Sequence, residues 1–192
     1  MTPSCGLRVL SRWLTAATLV VLGLTWPGTS VFAATADIQM IVCDNAICPW
    51  FKIKADPPPH WVEDSAYGDP RQMTVYGIPH RELPFIYVNA SEAKAGSQVK
   101  ENIETNQSDW LAEHPDSRFS LLETIGQFSV YEVRNPSVEQ QPYEVMAFTQ
   151  QPFTIKDRTY TLFIQAVLTG DKKADVVRHL KEFKSFVAHF ND

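Results

Sequence analysis

The sequence predicts an α+β domain, an antiparallel meander sheet packed by two main helices. Three observations carry that prediction. Thr159 to Thr169 (TYTLFIQAVLT) places Tyr160, Leu162, Ile164, Ala166 and Leu168 on one face and Phe163 and Val167 on the other. That is the pattern of a strand covered on both sides. After Gly170-Asp171 breaks it, Val176, Leu180, Phe183, Val187 and Phe190 recur at i, i+4, i+7, i+11 and i+14. This is one stripe of an amphipathic helix over Ala174 to Phe190, with Asp171 available as its cap. Upstream, strand patterns follow one another with short turns, and strands grouped apart from helices give α+β rather than alternating α/β.

The first 33 residues predict a secretory signal peptide. Arg8 and Arg12 form a basic start, and Leu14 to Leu24 is an apolar run too short to span a bilayer comfortably. Val31-Phe32-Ala33 sets up cleavage after Ala33. The expected product is periplasmic or secreted and keeps no stable membrane anchor. An uncleaved N-terminal anchor is the alternative. Cys5 precedes the apolar run and leaves with the signal.

The mature chain of 159 residues suits one domain. It is expected to comprise an N-terminal segment, residues 34–50, and a single α+β domain, residues 51–192. Without the two leader arginines, 15 basic face 22 acidic residues, a net charge of −7. That balance argues against nucleic acid or an anionic membrane surface as partner, since both need a positive field.

Cys43 and Cys48 stand five positions apart in the N-terminal segment. In an oxidising compartment such a pair predicts a disulfide. Closing so small a loop adds only about 2 kcal/mol. Redox and metal readings are weaker, because the spacing is C-x4-C and not the C-x-x-C of dithiol oxidoreductases.

Ala36 to Ile47 reads as a short strand or edge segment, and Phe51 to Lys54 alternates until Pro57-Pro58-Pro59 stops it. Tyr67 to Arg71 is a turn signal, and Met73 to Gly77 and Pro84 to Asn89 are strand patterns. Ser97 opens a helix with Val99, Ile103, Trp110 and Leu111 on its apolar face, which Pro115 ends. Phe119 to Ile125 and Phe128 to Arg134 flank Gly126-Gln127, a two-residue hairpin signal. Tyr143 to Thr149 pairs next, and Asp157-Arg158 turns into the central strand.

Several stretches match one family's sequence of elements: Phe51-Lys52-Ile53, Trp61-Val62, Leu83-Pro84-Phe85-Ile86-Tyr87-Val88, Val99 to Leu111, Phe119 to Thr169, and Phe183-Lys184-Ser185-Phe186. In this order they resemble the PsbP-like superfamily, which includes luminal photosystem II extrinsic proteins and periplasmic DcrB-type proteins. The likeness covers roughly residues 51 to 190 and consists of packing patterns. It implies an antiparallel sheet sandwiched by helices and a binding, accessory or chaperone-like role without a shared catalytic site. The segment holding Cys43 and Cys48 departs from the pattern.

The chain has no G-x-G-x-x-G, P-loop, H-E-x-x-H or G-x-S-x-G, so no cofactor is implied. His179 and Glu182 stand at i, i+3 on the last helix, a spacing open to a shared metal or to an ordinary helix-stabilising pair. His179 borders the apolar stripe, and Glu182 is expected toward solvent. His60, His80 and His114 lie in or beside loops, and His114 suits a helix C-terminus. Trp50, Trp61 and Pro58, in an aromatic- and proline-rich stretch, are the candidate partner surface. Core and loop packing is the competing account of these aromatics. The expectation is a non-enzymatic binding or accessory protein engaging another envelope or secreted protein. One alternative is a metal- or small-ligand-binding protein using two histidines. The other is an enzyme with a dispersed site.

Overall fold

The structure, a computed structural model, describes residues 34–43, 46–81, 83–139 and 141–190. The predicted signal peptide lies outside the described residues. Among the described residues no helix is long and apolar enough to cross a membrane.

In chain order the elements are β1 (Thr35–Cys43), β2 (Ala46–Lys54), β3 (Val62–Glu63), α1 (Ser65–Gly68), a 3-10 turn (Asp69–Arg71), β4 (Thr74–Gly77), β5 (Phe85–Glu92), α2 (Val99–Glu113), β6 (Arg118–Ile125), β7 (Phe128–Arg134), β8 (Tyr143–Ile155), β9 (Arg158–Gly170) and α3 (Lys173–Ala188). Seven strands form one antiparallel sheet in the order β3-β4-β5-β9-β8-β7-β6, with β9 at its middle. The predicted central strand is therefore central, and β6 to β9 form the meander.

Both faces of β9 are buried, each in its own cluster. Leu162, Ile164, Ala166 and Leu168 join Val176, Phe183, Phe186, Val187 and Phe190 of the α3 segment. Val167 joins Phe148, Met146, Val133 and Ile103 of α2 on the other face. The two-sided pattern of the strand follows from the helix on each side of it.

The N-terminal residues belong to this fold and do not precede it. β1 and β2 pair antiparallel from Thr35↔Lys54 to Cys43↔Ala46. Ala36, Ile38, Phe51 and Ile53 pack into the α3-side core, and the Ala34 N–H donates to the Phe190 carbonyl at 3.0 Å. The Cys43–Cys48 bridge is not made, and Cys48 is a free thiol. The ladder sets Cys43 opposite Ala46 and Cys48 opposite Ile41. The two cysteines thus sit diagonally, at a Cα spacing of roughly 7–8 Å in such ladders, whereas a disulfide wants less than about 7 Å.

Other boundaries move by small, explicable amounts. α2 is capped by Gln98, one residue after Ser97, and the Gln98 N–H donates to Glu101 at 3.1 Å. α3 is preceded by Lys172 with no side-chain cap, so Asp171 does not serve that role. The β8–β9 turn is Lys156-Asp157, one residue earlier than expected, since Ile155 pairs Arg158. β8 runs six residues past Thr149, through Pro152. Its β7 partner ends at Phe148, so Pro152 sits where one side of the strand is unpaired and a missing N–H is tolerated.

Candidate functional site

The site is built where the chain leaves β2, crosses the triple proline and returns to the sheet. Tyr76 of β4 holds the start of that loop. Its phenol donates to the Ala55 carbonyl at 2.9 Å and accepts from the Ala55 N–H at 3.0 Å. Burial pushes this phenol up to about 12. Pro58, Pro59, His60 and Trp61 then form a turn closed by the Trp61 N–H on the Pro58 carbonyl at 3.0 Å. Proline at the second position and φ +73° at His60 in the third suit a type II turn. The same arrangement recurs at Ile78 to Arg81, with Pro79 second and His80 at φ +65° third. Both histidines, open candidates in the sequence, occupy turn positions that glycine usually fills.

Trp61 fastens the far end of the loop to α3. Its indole N–H donates to Glu182 Oε2 at 2.9 Å, and His179 Nδ1 reaches the same oxygen at 2.9 Å. The Trp61 and His179 rings meet edge to face, centroids 5.5 Å apart. Burial alone would raise the Glu182 carboxyl. The hydrogen bonds from His179 and Trp61 outweigh it and hold the group below its ordinary range. A carboxylate facing two donors stays charged and keeps both side chains in place.

Between this loop and α3 lies a groove of about 480 Å³. Pro57, Pro58 and Pro59 form one wall, and Ser185 and Phe186 the other. Asp56, Lys181, Glu182 and His189 supply its charged and polar rim. Phe186 is fixed from below by Tyr76 and Phe190, at centroid distances of 5.7 and 5.6 Å. The walls are pinned at both ends, so the groove is preformed.

The structure brings Pro58, Trp61, His179 and Glu182 together and leaves Trp50 apart. Pro58, Trp61 and Trp50 are all buried, so none is an exposed anchor. Trp61 is spent on holding the loop, and Trp50 packs with the Lys52 ammonium 5.5 Å from its ring. The Glu182 side chain is 44% exposed, facing solvent as expected, and it also meets Trp61 and His179. His179 is 8% exposed and packs against the Trp61 ring. Among the described residues no group of three or more His, Cys, Asp or Glu side chains comes together to hold a metal. Sequence reasoning missed the roles of Tyr76, Ser185 and Phe186. Phe186 carried a signal, standing three residues after Phe183 at helical spacing.

The chain matches no protein-family model and no curated protein sequence.

Proposed function

We propose that this is an exported, non-enzymatic binding protein of the PsbP-like kind, and that it engages a segment of another envelope or secreted protein in the groove between the Pro57–Pro59 loop and α3. The observation that supports the reading is the groove's construction. A triple-proline wall is anchored by Tyr76 at one end and by the Trp61–Glu182 hydrogen bond at the other. A preformed site avoids the ordering cost that weakens flexible ones. Proline and Phe186 walls favour an apolar side chain of the partner, and the mixed rim of Asp56, Lys181, Glu182 and His189 suits polar neighbours around it.

Ser185 is exposed on α3 and lines the groove, so Ser185→Tyr fills it without entering the core. In an affinity pull-down from envelope extract, wild type retains a dominant protein and the Ser185→Tyr variant loses it. Equal retention by both proteins would place binding elsewhere on the surface.

A further inference from the structure

We infer a second site, on the opposite face of the sheet, that takes a small zwitterion of the free amino-acid class, with Arg81 meeting its carboxylate and Asp171 its ammonium. The cavity has a volume of about 570 Å³, within the roughly 300–1,000 Å³ of small-molecule sites. It is independent of the proline-walled groove, and neither reading rests on the other.

Its floor is the α2-side face of the sheet, where β4 and β5 pair Val75 with Tyr87 and Gly77 with Phe85. Gly77 keeps that floor open, because a Cβ built there meets nothing within 4 Å. Tyr67 of α1 stands against Phe85, ring centroids 5.4 Å apart, and gives the cavity an aromatic wall. These surfaces suit an apolar or aromatic side chain.

The charges decide the ligand class. Arg81 and Asp171 both line the cavity. Among the described residues neither side chain has an ion-pair partner or a hydrogen bond. Asp64 is the other carboxylate on the wall, and it is committed to the Tyr67 N–H at 3.0 Å. Arg81 follows the turn after β4, whereas Asp171 follows β9 two residues beyond Thr169. The row Glu144–Thr169–Phe85–Gly77 runs across β8, β9, β5 and β4 into the floor. Behind Phe85 in that row, Glu144 and Thr169 are buried opposite each other. A simple carboxylate would leave Asp171 unanswered, and a simple amine would leave Arg81 unanswered. A zwitterion answers both.

The test is a thermal-shift and calorimetric series on the full chain with the free amino acids, L-phenylalanine and L-leucine among them, and with their N-acetyl and amide derivatives. At about 10 mM, at least one free amino acid raises the melting temperature, as mass action requires of a ligand that binds only the folded state. Removing either charge of that ligand, or introducing Arg81→Ala or Asp171→Asn, weakens binding by at least about tenfold. Arg81 and Asp171 are exposed, so both variants melt like wild type without ligand. Gly77→Leu fills the floor and blocks binding by a different route. No shift with any amino acid would overturn the inference. So would binding that survives N-acetylation or all three substitutions.

Discussion

The indole N–H of Trp61 and the carboxylate of Glu182, 121 residues apart in the chain, meet at 2.9 Å. Through this contact the triple-proline loop is held against α3, and His179 shares the accepting oxygen. Trp61→Phe removes the donor and, with it, part of the buried indole. It costs about 2–3 kcal/mol in urea unfolding, from the lost bond to a charged acceptor and the lost ring volume. Loss of binding beyond that expected from stability alone identifies the bond as a support of the groove.

The same carboxylate gives a pH signature. Its folded-state pKa is lowered from the ordinary 4.5, so its contribution is fully present above that value and disappears as pH falls through the folded value. The stability gap between wild type and Glu182→Gln therefore narrows on acidification below about 4.5. A gap that stays constant or widens would contradict the charged Glu182 assignment.

Glu144 behaves in the opposite sense. It is 1% exposed, accepts one hydrogen bond from Asn135 Nδ2 at 3.1 Å, and burial pushes its carboxyl up to about 7. The native state then holds a proton that the unfolded chain has released, so stability falls as pH rises between 4.5 and about 7. Glu144→Gln keeps an acceptor for Asn135 and removes this dependence. Near pH 8 it stabilises by up to about 3 kcal/mol, at roughly 1.4 kcal/mol per pKa unit. Chemical denaturation across pH measures it.

His60 sits at φ +73° behind Pro59. His60→Gly relieves the left-handed strain and is neutral or stabilising by up to about 1 kcal/mol, whereas His60→Val destabilises by about 1–2 kcal/mol. Thermal unfolding of the pair checks the turn, because a surface role unrelated to backbone geometry would not separate glycine from valine.

Much of this fold was legible because it rests on period. β9 declared both its faces, and α3 declared its stripe. β1 also alternates, with Ala36, Ile38 and Met40 on one side, but Ile41 on the other side and Pro49 in β2 blur the signal. Its pairing depends on docking against the α3-side core. The site was harder to read. The helical spacing of α3 sets His179 beside the stripe and Glu182 toward solvent, and says nothing of Trp61 arriving from the opposite end of the chain. The Pro58–Trp61 stretch looked like a display of exposed anchors, because sequence marks an aromatic residue without marking what covers it. Arg81 and Asp171 follow different strands, and only the sheet register brings them to one cavity.

The two helices differ in how much they bury. α3 buries Val176, His179, Phe183, Phe186 and Val187, and α2 buries Ile103. Local opening follows the apolar contact that must be broken, so α2 amides exchange faster than α3 amides by at least about tenfold. Hydrogen exchange resolved along the chain tests this, and equal protection would show that α2 is held by contacts other than Ile103.

The most direct test of the binding role is photo-crosslinking from the groove itself. A benzophenone side chain replaces Ser185 in one protein and Glu104, exposed on α2 across the sheet, in another. Both proteins are irradiated in their native envelope. The groove reading predicts one dominant crosslinked protein from position 185, none from position 104, and loss of the product when Trp61→Phe loosens the wall. The same products from both positions, or none from position 185, would contradict it.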